Sequence, residues 1–122
     1  MIRVVLADDT ADLRLLVRLT LEGDGRFEVV GDAANGLEAI ELLEREHPDV
    51  IVLDMGMPEM DGLEVLAEIN NRGMESKVLA LSGFNGGVEE KARALGAGDF
   101  MRKGTTALGE IVPRIIALCD AA

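Results

Sequence analysis

The chain has 122 residues, 48% of them apolar, with three Phe, no Tyr, no Trp and a formal charge of -11. That length suits one domain, residues 1-122, with a single core built from Val, Ile, Leu, Ala and Met. The acid excess argues against a chain that grips a nucleic-acid backbone or an anionic membrane surface by itself, because both need clustered Lys and Arg.

The first apolar run, residues 2 to 7, reads as a strand and ends at Asp8-Asp9. Arg3 stands inside it, so it does not read as a signal peptide, and no apolar run in the chain nears the roughly 20 residues of a membrane span. A cytoplasmic protein is expected. Residues 11 to 22 follow with helical spacing and place Leu13, Leu16, Val17 and Thr20 on one face. A second strand is expected over 27 to 33. Asn35, with Glu38 three positions on, has the spacing of a capping box and opens a helix over 36 to 46. Its stripe is Leu37, Ile40 and Leu43, widened by Ala39 and Leu42. His47 reads as an exposed helix end, and Pro48 stops the helix ahead of the third strand.

That strand, Val50-Ile51-Val52-Leu53, ends at Asp54 and opens the loop Met55-Gly56-Met57-Pro58-Glu59-Met60-Asp61-Gly62. Asp61-Gly62 reads as a turn and helix start, and a helix over 62 to 72 carries Leu63, Leu66 and Ile69. A fourth strand over 77 to 82 ends at Ser82, before the pliable stretch Gly83, Asn85, Gly86 and Gly87. A weaker helix over 86 to 95 shows Val88, Ala92 and Leu95. The fifth strand, 99 to 102, leads to Lys103. A last helix over 105 to 119 has the cleanest period, with Leu108, Ile111, Val112, Ile115, Ile116 and Cys119. Pro113 belongs near its first turns or kinks it. Cys119 is the one cysteine, which rules out an intramolecular disulfide and a cysteine zinc cage; it reads as a buried structural thiol.

Five strand-helix alternations imply an α/β protein with a parallel sheet and helices on both faces. In such a sheet every strand ends at the same edge, where open α/β folds bind ligands. Asp8, Asp9, Asp54, Ser82 and Lys103 therefore converge on one crevice. Clustered carboxylates repel unless a cation joins them, and hard oxygen donors suit Mg2+. Asp9 and Asp54 are expected as its ligands, with Asp8 nearby or acting through water. Lys103 offsets the acids and pairs with an arriving phosphoryl oxygen, and Ser82 donates a hydrogen bond to another. Asp54 is the expected nucleophile, forming an acyl phosphate. Met55, Met57 and Met60 read as packing rather than soft metal ligands.

The motifs Val5-Leu6-Ala7-Asp8-Asp9, Asp54 through Gly62, Leu81-Ser82-Gly83 and Gly96 through Lys103 make the whole chain resemble the receiver domain of two-component response regulators. The resemblance implies a flavodoxin-like doubly wound sheet of five parallel strands in the order 2-1-3-4-5, with five helices. It implies Asp54 as phosphoacceptor, Asp8 and Asp9 as the acid pair, and the main-chain carbonyl of Gly56 as a metal ligand. Ser82 is implied as the switch hydroxyl, Phe100 as the switch aromatic and Lys103 as the phosphoryl-binding lysine. The implied partners are a sensor histidine kinase or phosphotransfer protein and a downstream protein or output domain, with a homodimer on phosphorylation. The chain itself is expected to catalyse only its own phosphorylation and dephosphorylation. It reads as a stand-alone receiver or as part of a longer regulator such as a transcription factor.

Two positions depart from the family's pattern. Gly104 stands where a Pro with a cis bond is common, so that loop is expected to be more mobile. Gly56 stands where a larger polar residue is common and offers no side chain to orient an attacking water. With Phe84 as an apolar shield, slow loss of phosphate is expected. Three other classes fit less well. A haloacid-dehalogenase-like phosphohydrolase wants a second Asp at position 56. A flavin module wants aromatics and a phosphate loop where Asp8-Asp9 stand. A pseudo-receiver that binds partners without phosphorylation lacks a positive reason, since all the chemical residues are present.

Overall fold

The computed structural model describes residues 1–83, 86–104 and 107–120. In chain order the elements are β1 (Ile2–Ala7), α1 (Ala11–Asp24), β2 (Phe27–Ala33), α2 (Gly36–Glu46), β3 (Val50–Asp54), α3 (Gly62–Asn71), β4 (Lys77–Ser82), α4 (Val88–Ala94), β5 (Asp99–Arg102) and α5 (Ala107–Asp120). All strand pairs are parallel and the order is β2-β1-β3-β4-β5, the flavodoxin-like order expected. The chain runs outward from β1 to β2, then returns past β1 to β3. The β1–β3 border is thus the switch point where such sheets open a crevice.

The strands read as continuous apolar runs because both sheet faces are covered. Successive side chains alternate between two cores. Val5, Ala7, Ile51, Leu53, Val78, Ala80 and Phe100 join the layer packed with α2, α3 and α4. Val4, Leu6, Val50, Val52, Leu79, Leu81 and Met101 join the layer packed with α1 and α5. Each fully buried aliphatic side chain adds about 1.5–3 kcal/mol of transfer free energy. The register skips Val30 between Val4 and Val5, a bulge in the β1–β2 pair.

Two helices turn differently from the spacing's reading. In α1 the buried residues are Val17 and Leu21, with Leu13 half-buried, and Leu16 is 49% exposed. The arc centres on Val17, and Leu16 lies about 100° away from it. In α2 the buried arc holds Ala39, Ile40, Leu42 and Leu43, while Leu37 is 49% exposed. Leu37 and Leu42 lie on well-separated sides of the helix, so one stripe cannot bury both. α5 also buries Leu118, which the spacing did not single out.

The ends follow local chemistry. Asn35 Oδ1 accepts the Glu38 N–H at 2.9 Å, but Glu38 reaches back to Ala34 N rather than to the cap itself. Asp61 and Glu64 form a complete capping box at the start of α3. His47 closes α2 in the left-handed region, exposed as expected. Pro113 is the seventh described residue of α5; the expected first residues of that helix, 105 and 106, lie outside the described residues. Among the described residues no helix is long and apolar enough to cross a membrane.

Candidate functional site

Register delivers the site. Ala7 pairs with Leu53, so one step further Asp8 and Asp54 come side by side at the switch point. Ser82 pairs with Arg102, and Lys103 N donates to Ser82 O at 2.9 Å, which carries Lys103 in beside them. Met55 N donates to Leu81 O at 2.8 Å and ties the Asp54 loop to β4. The loop is further held by close packing. A Cβ on Gly62 would meet Asp54 O at 2.6 Å, and one on Gly36 would meet Met60 O at 2.2 Å. Met55 and Met57 are buried in the core, as packing residues should be.

Asp8 and Asp54 are 5% and 3% exposed, Asp9 is exposed, and each offers a carboxylate oxygen within 4.8 Å of the others. Lys103 Nζ lies 2.9 Å from Asp8 Oδ2 and 3.0 Å from Asp54 Oδ2. The other Asp54 oxygen, Oδ1, accepts the Gly56 N–H at 3.1 Å. Asp9, Asp54, Gly56, Ser82, Gly83, Val88 and Lys103 line an open crevice of about 290 Å³ with Met55. Ser82 is buried at its wall, 5% exposed. Phe100 packs in the α2–α3–α4 layer with its ring already buried, whereas a switch aromatic is expected to turn inward. Phe84 and Asn85 lie outside the described residues.

Burial pushes the Asp54 carboxyl above its ordinary range; the Gly56 N–H and Lys103 pull it back, and the Asp8 charge adds to the push. Burial also pushes the Lys103 ammonium down, but Asp8 and Asp54 together outweigh this and hold it above its ordinary value. Both pKa values thus rise, which disfavours the charged form of Asp54 and favours that of Lys103. One lysine serves two buried acids, so it gains from the cluster while Asp54, deeper in the protein, does not.

The donor set fits a hard divalent cation. Asp8 Oδ2 is buried and has no hydrogen-bond partner. Its contact with Lys103 is close enough for an ion pair but lacks the alignment of a hydrogen bond. A buried carboxylate oxygen with an ion pair but no hydrogen bond, beside two further carboxylates, suits Mg2+, which takes one or two acids and keeps waters or phosphate oxygens for the rest.

Two residues that the pattern did not single out hold this geometry. Thr10 N donates to Asp8 Oδ1 at 2.8 Å, an Asx-type turn that could have been anticipated from Asp before a helix start. Arg14 Nη1 donates to Asp8 O at 2.5 Å. Nothing local signals that contact.

Residues 4–115 match the model of the response regulator receiver domain. The chain belongs to this family. Receiver domains are in general signalling modules of two-component systems. It is 38% identical over 104 residues to the chemotaxis protein CheY of Listeria monocytogenes, covering 84% of this chain and 87% of that protein. A protein named as a transcription regulator, BvgA of Bordetella pertussis, is 40% identical over 81 residues, 66% of this chain and 38% of its own length. The signal receiver domain of a response regulator named NarL from Mycobacterium tuberculosis superposes with a TM-score of 0.92 at 34% identity, covering 99% of this chain and 98% of that one. The matched part spans 41% and 38% of the length of two regulators of this kind, about two fifths in each case.

Proposed function

We propose that residues 1–122 act as one phospho-accepting receiver, which takes a phosphoryl group from a histidine kinase or phosphotransfer protein onto Asp54 and changes a protein-protein surface in response. The observation that carries this reading is the buried Asp54 carboxylate with Lys103 Nζ at 3.0 Å and two further acids beside it. In the proposed step an Asp54 oxygen attacks phosphorus. The P–N bond of a donor phosphohistidine breaks, its electron pair returns to the imidazole, and an acyl phosphate remains on Asp54. Lys103 pairs with one phosphoryl oxygen and keeps Asp54 ionised against the push of burial. Ser82 donates its hydroxyl to another oxygen, and the buried Phe100 responds by repacking. Mg2+, held by Asp8, Asp9, Asp54 and the Gly56 carbonyl, supplies charge neutralisation for the transferring group when bound.

The partners follow from this chemistry: a phosphohistidine donor, a downstream protein or output domain, and a second copy of the chain after phosphorylation. A cytoplasmic setting fits a donor of that kind. Position 56 is Gly, with no side chain to direct water at the acyl phosphate, so the phosphoryl group should be long-lived. The test is intact-protein mass after incubation with acetyl phosphate, with and without Mg2+, alongside Asp54→Ala. A single Mg2+-dependent phosphoryl adduct that the variant lacks is the expected result. No adduct in protein that binds Mg2+ would overturn the reading and favour phosphorylation-independent binding.

A further inference from the structure

Besides the Lys103 ammonium beside its Oδ2, three polar groups of Asp8 are held by hydrogen bonds within the chain. Its N–H donates to Ala33 O at 3.0 Å, its Oδ1 accepts from Thr10 N at 2.8 Å, and its carbonyl accepts from Arg14 Nη1 at 2.5 Å. The last contact differs in kind. The Asp8 carbonyl belongs to the rigid peptide plane that joins Asp8 to Asp9. A donor that holds this oxygen sets the rotation of that plane, and with it the direction in which Asp9 leaves the chain.

Arg14 is itself held from the far side. Its Nε lies 3.6 Å from Asp32 Oδ1, and Asp32 Oδ2 accepts from Arg18 Nη1 at 2.6 Å. Asp32 sits on β2 opposite Leu6, two residues before Asp8. The guanidinium therefore spans from β2 to the β1–α1 loop, with its side chain only 19% exposed. Arg14 also occupies the fourth position of α1, near the positive end of the helix dipole, where a cation is disfavoured. Helix stability does not account for it there.

We infer that Arg14, anchored by Asp32, is the positioning residue of the acid pair: it sets the Asp8–Asp9 peptide so that both carboxylates face the crevice. The inference rests on the reading of Asp8 and Asp9 as Mg2+ ligands. It makes a prediction of sign. Arg14 is a nearby positive charge, so as a mere charge its removal should tighten Mg2+ binding. As a positioning group its removal should weaken it. A lysine keeps the charge but has no planar fork to reach two acceptors at once, so Arg14→Lys should fail as well.

The experiment is calorimetric titration of MgCl2 into the unphosphorylated protein and into Arg14→Met, Arg14→Lys, Asp32→Asn and Asp9→Asn, with a thermal melt in EDTA to verify folding. The expected result is Mg2+ affinity about tenfold lower in both Arg14 variants and lowered in Asp32→Asn, the range seen when groups that orient metal ligands are removed. Tighter binding in Arg14→Met, or Arg14→Lys matching the parent, would overturn the inference. If Arg14→Met does not fold, the charge-conserving Arg14→Lys decides the matter. Failure of the parent to bind Mg2+, or an Asp9→Asn variant that binds as the parent does, would instead sink the metal reading beneath it.

Discussion

Replacing Gly62 by Ala puts one carbon where the site has no room for it. The new Cβ would lie 2.6 Å from Asp54 O, 2.7 Å from Met55 Cα and 2.4 Å from Met55 Cε. The thioether methyl can swing aside, but the other two atoms are the main chain that presents Asp54. Relief needs a shift of about 0.5 Å between α3 and the end of β3. Overpacking of this kind costs about 1–3 kcal/mol, and contact with backbone argues for the upper end. With an unfolding entropy of about 2.1 cal/mol/K per residue, ~3 kcal/mol corresponds to a fall of ~12 °C in melting temperature. Gly23→Ala is the matched control: it is exposed, inside α1, and its Cβ would meet nothing within 4 Å. There the gain in helix propensity should stabilise by about 0.5–1 kcal/mol. Calorimetric melts in EDTA measure both, and the rate of adduct formation with acetyl phosphate reports the displacement of Asp54. A Gly62→Ala protein that melts with the parent and phosphorylates at the parent's rate would refute the packing argument.

Asp54→Asn should stabilise the protein in a pH-dependent way. The folded carboxyl titrates above its ordinary value of 3.8, so the native state binds more protons than the unfolded chain in that window. The parent therefore loses stability as pH rises through it, while Asn does not titrate. The melting difference between variant and parent should grow from about pH 3 upward and then level off; a difference that shrinks over this range contradicts the assignment. Added Mg2+ at about 100 times its dissociation constant should stabilise by ~2.7 kcal/mol, reversed by EDTA and blunted in Asp9→Asn, as thermal melts would read. Cys119 is half-buried, and burial pushes its thiol above the ordinary value, so alkylation at neutral pH should be slow in the folded protein and fast in denaturant. Phosphorylated protein freed of donor should keep its adduct well beyond seconds, read by intact mass over time; loss within seconds means that hydrolysis does not need a side chain at position 56.

The sequence by itself determined the five strands and what stands at their ends. A strand's burial repeats every two residues and a helix's every 3.6, so short windows carry the pattern. The expected strands match those observed, with β3 extended by one residue to Asp54. Parallel strands end on one edge, which is why Asp8, Asp9, Asp54, Ser82 and Lys103 could be read as neighbours before any distance was measured. The doubly wound strand order came from the family motifs rather than from periodicity, because no local window records which strands lie side by side.

Tertiary structure decided the rest. Which arc of α1 and α2 faces inward depends on the sheet each helix lands on, and so Leu16 and Leu37 lie exposed. The buried state of Phe100 likewise follows from its place on β5 against the α4 layer. The Arg14 contacts reach Asp8 six residues back and Asp32 eighteen residues on. The second becomes short only once β1 and β2 pair and α1 folds over them. Periodicity is a short-range property of the chain. Which charge meets which carbonyl across elements is set by packing, which no single segment contains.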